Sequence, residues 1–133
     1  VPHVFEYALL RAVPRQERGE FANVGVLLYS APLGFLGARV HVDEARLLAL
    51  DPHLDVELLR DSLAHLGLSC TGDRAAGPVS RTTAGQRFRW LTAPRSTIVQ
   101  ASPTHTGLTE DPEAELERLL EALVLPPRPL GDH

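Results

Sequence analysis

Apolar residues in the first forty positions fall into three short runs separated by turn-forming residues. Across residues 4–13, Phe5, Tyr7 and Leu9 alternate with Val4, Ala8 and Leu10, the period of two that a strand imposes, with both faces mostly covered. Pro14 stops this run. The charged stretch 14–20 reads as a turn in which Gly19 can take a backbone conformation closed to other residues. Residues 21–29, FANVGVLLY, are almost continuously apolar, which suits a central strand better than an edge. Within this run Ala22, Val24, Val26 and Leu28 are expected on one face and Asn23 and Tyr29 on the other, with Gly25 permitting a bulge or a close backbone approach. The sequence APLG at 31–34 closes a hairpin onto residues 35–42. There Leu36, Ala38, Val40 and Val42 point to a core and Arg39 and His41 point away.

After this the apolar spacing lengthens. Asp43 is placed to cap a short helix through Leu50, and Asp55 to cap a second whose stripe is Val56, Leu59, Leu63 and Leu66, with Gly67 ending it or weakening its last turn. His53 and His65 lie off that stripe and read as surface histidines. Residues 71–85 read as a long loop. Residues 86–91 form a short helix in which the stretch from Phe88 to Leu91 serves packing, stopped by Ala93-Pro94. A brief strand is expected at 96–100 and a loop at 102–107, SPTHTG. Asp111 followed by Pro112 starts a last helix, with Leu116, Leu119, Leu120 and Leu123 as its buried stripe. The predicted fold is a single α+β domain: an N-terminal antiparallel sheet of three or more strands, packed on one face by helices. Its core spans residues 3–125, and a short tail covers 126–133.

Composition narrows the function classes. No apolar run is long enough to cross a bilayer, no secretory leader pattern is visible, and Cys70 is the single cysteine. A cytoplasmic protein with a buried, inert thiol and no disulfide is the expectation. A net charge of −4 argues against membrane surfaces and non-specific nucleic-acid binding, which rely on neutralising many phosphates. The average hides an asymmetry. Residues 74–109 contain no Asp or Glu but hold Arg74, Arg81, Arg87, Arg89 and Arg95, whereas residues 110–121 are strongly acidic. Either these segments match each other within the fold, or the arginines form an anion-binding face. Lysine is absent throughout, so arginine richness reflects codon choice in a GC-rich genome as much as phosphate recognition.

Two stretches are candidates for chemistry. Arg95, Ser96 and Thr97, with His105 and Thr106 further on, can converge on one anion through a guanidinium fork, hydroxyls and an imidazole. The same hydroxyls can instead satisfy the loop's own backbone. Arg18 and Glu20 flank Gly19 at the entry to the central strand, and Asn23 is an amide where an apolar residue is expected. An ion pair and a backbone-satisfying amide account for them equally well. A Ser96, His105 and Asp111 triad lacks a nucleophile elbow and competes with the capping role of Asp111. No phosphate-cradling loop, dinucleotide fingerprint or paired metal-histidine motif occurs, so no cofactor and no metal are expected.

Taken together, RAVPRQERGEFANVGVLLY, FLGARV, RLLALDPHLD and RFRWLTAPRSTIVQASPTHTGL resemble the bacterial domain of unknown function 3037 family, in order and over nearly the whole chain. The resemblance carries no catalytic residue with it. It implies a partner, a HipA-like protein kinase, and hence a cytoplasmic interaction or regulatory module without catalysis. The alternative from the residues is an enzyme or binding protein for a phosphorylated small molecule or nucleotide, using Arg95, Ser96, Thr97 and His105. In either case the first spatial question is whether residues 15–23 meet residues 95–106.

Overall fold

Strand β1 (His3–Ala12) runs through the middle of a five-stranded antiparallel sheet, as seen in a computed structural model that describes residues 1–72, 77, 82–95 and 97–130. On one side β1 pairs with β2 (Ala22–Ser30), which pairs in turn with β3 (Phe35–Val40). On the other side its two halves have different partners. Residues 10–12 pair with β4 (Val99–Ala101) and residues 3–7 with β5 (His105–Thr109). The sequence SPTHTG is therefore half strand, not a loop throughout. Its local turn signals at Pro103 and Gly107 are overridden from residue 105 onward by pairing with a strand about a hundred positions away.

Ser102 fills the gap between β4 and β5. Its main-chain N–H donates to Leu9 O at 2.8 Å, and its Oγ accepts the Leu9 N–H at 2.8 Å. A side chain thus stands in for the missing rung of the ladder, at a residue only 3% exposed.

Four helices follow the local signals closely. Asp43, Asp55 and Asp111 accept the main-chain N–H groups of Arg46, Leu58 and Ala114, and so cap α1 (Glu44–Leu50), α2 (Val56–Thr71) and α4 (Pro112–Leu123). Helix α3 (Ala84–Thr92) begins with a reciprocal pair, the Thr83 hydroxyl accepting from Gln86 N–H while the Gln86 side chain accepts from Thr83 N–H. Helix α2 runs through Gly67 and ends at Gly72, whose φ of +72° closes the last turn. The burial of Ser69 and Cys70 in that turn offsets the cost of about 1 kcal/mol for an interior glycine.

The helices divide between the two faces of the sheet instead of sharing one. Leu47, Leu59, Leu63, Phe88 and Leu91 from α1–α3 pack against Leu10, Ala12, Val24 and Leu27. Leu116 and Leu119 of α4 pack with Phe5, Val26 and Leu28 on the opposite side. A bulge explains why β2 serves both in an unexpected order. Leu10 lies opposite Gly25 but Arg11 lies opposite Asn23, which leaves Val24 as an extra residue. Ala22 and Val24 therefore join the α1–α3 face, while Val26 and Leu28 join the α4 face. Gly25 is required there, because a Cβ would sit 2.8 Å from the main-chain oxygen of Arg39.

The face expected to be polar is thus roofed by α4. Arg39 Nε reaches Glu117 at 2.7 Å and its Nη2 reaches Glu113, while the Asn23 amide donates to Leu123 O at 3.1 Å near the end of α4. Among the described residues no helix is long and apolar enough to cross a membrane.

Candidate binding cleft

Helix α2, the end of α3 and the segment entering β4 enclose a cleft of about 390 Å³, within the size range of small-molecule sites. Leu10, Leu66, Leu91 and Ile98 make its floor, and Asp61, His65, Trp90 and Arg95 stand around it. The positions follow from helical spacing. Leu63 and Leu66 of α2 turn toward the sheet, which leaves Asp61 and His65, four residues apart, on one adjoining face. On α3 the same logic buries Phe88 and Leu91 and leaves Trp90 48% exposed.

Pro94 stops α3 and turns the chain back, so that Arg95 lies over the Trp90 ring at 4.7 Å and donates from Nη2 to Trp90 O. Arg95 makes no ion pair among the described residues. Thr97 also lines the cleft, but its hydroxyl donates to Val99 O at 2.6 Å. That hydroxyl serves its own loop.

Residues 15–23 do meet the segment that begins at Arg95, and Gln16 makes the contact. Its amide donates to Thr97 O at 3.1 Å and accepts from Gln100 Nε2 at 2.7 Å. The residues singled out for chemistry nevertheless scatter. Arg18 and Glu20 pair with each other at the exposed turn, and the hydrogen bond that Arg18 donates to Glu20 raises the Arg18 pKa. Asn23 is held against α4. The His105 ring lies tilted against Tyr7, centroids 5.2 Å apart, on the face that α4 covers and across the sheet from Arg95. Thr106 is exposed opposite Glu6. Ser96 lies outside the described residues. Asp111 caps α4, so the imagined triad does not assemble around it. Among the described residues no three His, Cys, Asp or Glu side chains cluster as a metal site.

For the described arginines of residues 74–109, the charge asymmetry resolves differently from a match with the acidic segment. Arg89 pairs with Glu6 on β1 at 2.9 Å, the α4 carboxylates take Arg39 and Arg118, and Glu110, just before α4, takes the N-terminal amine. Arg87 instead donates to Thr82 O at 2.6 Å and to Cys70 O at 3.4 Å. Arg74 and Arg81 lie outside the described residues.

A second concavity forms beside the β1–β2 turn around Arg15, Asp51 and His53. The His53 N–H at 2.9 Å, and then Arg15 Nε at 3.0 Å, hold the Asp51 carboxyl below its usual range while burial works against them. These bonds tie the turn to the α1–α2 joint.

A family model described as a protein of unknown function (DUF3037) matches residues 7–124. The chain belongs to this family. The matched span of the DUF3037 domain takes in the whole cleft and both of its walls. No curated protein and no solved structure showed a significant match.

Sequence reasoning did not single out Asp61, read His65 as a surface histidine, which is exposed, and read Trp90 as packing. The available signal was the spacing of four between Asp61 and His65 beside the buried stripe of α2. It gains meaning only when α3 is seen to lie alongside.

Proposed function

We propose that this DUF3037 domain is a non-catalytic recognition and regulatory module whose input is occupancy of the α2/α3 cleft. One observation carries the reading: Arg95 is stacked on a half-exposed Trp90 over an apolar floor, with no carboxylate to neutralise it among the described residues. Aromatic and arginine side chains placed this way dominate recognition surfaces, because they bury much area and keep a directional polar edge. Among the described residues the hydroxyls lining the cleft donate to main-chain oxygens, Ser62 to Leu58 O, Ser69 to His65 O and Thr97 to Val99 O, and His105 lies beside Tyr7. A phosphorylated ligand gains little from this arrangement, since a single guanidinium shares the cleft with Asp61.

The partner implied by the family resemblance is a HipA-like kinase. Isothermal titration of a purified HipA-like kinase from the same genome with this domain tests the reading. Association is expected, weakened about tenfold or more in Trp90→Ala, the effect of losing one hot-spot aromatic. No association between two folded proteins, or an unaltered affinity in Trp90→Ala, overturns it.

A further inference from the structure

The charges of the cleft suggest what occupies it. Asp61 on α2 and Arg95 beyond α3 stand around the same apolar floor. Neither forms an ion pair with the other or with any other described residue. Arg15, Arg18, Arg39, Arg60, Arg89 and Arg118 each have a carboxylate partner, whereas Arg95 shares the lack of one with Arg11, Arg46, Arg87 and Arg128 but alone among these five lines the cleft. Two opposite charges without a charged partner among the described residues, around one apolar floor, complement a ligand having one positive group, one negative group and an apolar body. A dianion would meet repulsion at Asp61, a dication at Arg95, and a plain hydrocarbon would strip water from both without replacing it.

Resting on the recognition-module reading, we infer that the cleft binds a free apolar amino acid as its zwitterion. The carboxylate is received by Arg95, whose fork still has donors beyond the one given to Trp90 O. The ammonium is received by Asp61. The side chain lies on Leu10, Leu66, Leu91 and Ile98 beside the Trp90 ring. His65, one turn beyond Asp61, adds a hydrogen-bonding edge at the ammonium end.

Trp90 is the only tryptophan in the chain, so its emission reports cleft occupancy directly, with the melting temperature as a parallel readout. The intact domain is titrated with L-leucine and L-phenylalanine. It is titrated in parallel with L-leucinamide, which lacks the carboxylate, and N-acetyl-L-leucine, which lacks the ammonium. The free amino acids are expected to shift the emission and raise the melting temperature. Each blocked form should bind about tenfold more weakly or worse, the usual effect of losing a charge-assisted hydrogen bond. The variants must cross over. Arg95→Ala should erase the preference for leucine over leucinamide, and Asp61→Asn the preference for leucine over N-acetyl-leucine. Equal binding of all three leucine compounds overturns the inference. So does tighter binding of O-phospho-L-serine, or no response to any amino acid at millimolar concentration. If no amino acid binds but Trp90→Ala still abolishes kinase association, the ligand assignment falls and the module reading stands. If both fail, the cleft is not a recognition site.

Discussion

Ser102 holds the cleft wall to the sheet, and removing its hydroxyl tests that. In Ser102→Ala the Leu9 N–H loses the acceptor it meets at 2.8 Å, in a place where the replaced residue is 3% exposed. The lost volume is one oxygen atom, so the effect is almost entirely that of a buried donor left without a partner, about 1–3 kcal/mol. An unfolding entropy near 2.1 cal/mol/K per residue makes 1 kcal/mol equivalent to roughly 3–4 °C in a chain of 133 residues. The melting temperature by calorimetry should therefore fall by roughly 3–12 °C. Amide exchange at Leu9 should accelerate more than at Ala8, which pairs with Leu27 of β2 and with neither β4 nor β5. Thr106→Ala, an exposed change on β5, serves as the control and should stay within about 0.5 kcal/mol of the parent. A Ser102→Ala protein that melts within a degree of the parent, with Leu9 still protected, refutes the reasoning. It would mean that water or a shifted main chain replaces the hydroxyl at no cost.

Three further outcomes follow from the same structure. Gly25→Ala should destabilise the domain by about 1–3 kcal/mol, since the new Cβ meets a main-chain oxygen at 2.8 Å that cannot rotate away; denaturant titration reads this directly. Asp51, whose folded pKa is depressed below 3.8 by the His53 N–H and then by Arg15, contributes stability that is complete above its unfolded pKa and disappears as pH falls through the lower, folded one. Asp51→Asn should flatten that part of the acid-side stability curve, and an unchanged curve contradicts the assignment. Burial pushes the Cys70 thiol up to about 12, so at pH 8 it stays protonated and should resist alkylating reagents until the protein unfolds. Rapid labelling of the folded domain would contradict this.

What the sequence made legible was local. Asp43, Asp55 and Asp111 announce helix starts by chemistry that acts within three residues, and the turns at 14–20 and 31–34 end in glycines with positive φ. The α+β class and the antiparallel sheet follow from alternation within single strands. The unread part depends on which residue lies opposite which. One extra residue in β2 swaps the faces of Val24 and Val26, and no signal inside FANVGVLLY says on which side of Gly25 the slip occurs. His105 and Arg95, ten positions apart, fall on opposite sides of the sheet because the intervening chain is pinned to both halves of β1. The cleft depends on α2 lying beside α3, a contact between segments joined by the stretch with the weakest local signals.

The division of helices between the two faces also sets an order of protection. All five strands and α1–α3 precede α4 in the chain, so on the ribosome Phe5, Val26 and Leu28 must wait, uncovered, until Leu116 and Leu119 emerge. The central strand waits as well, since β4 and β5 arrive only after most of the chain has been made. A sheet with one face bare and one edge open is the kind of species that associates with its neighbours. For this fold, the interval between completing β2 and closing α4 is when the nascent domain most needs a chaperone.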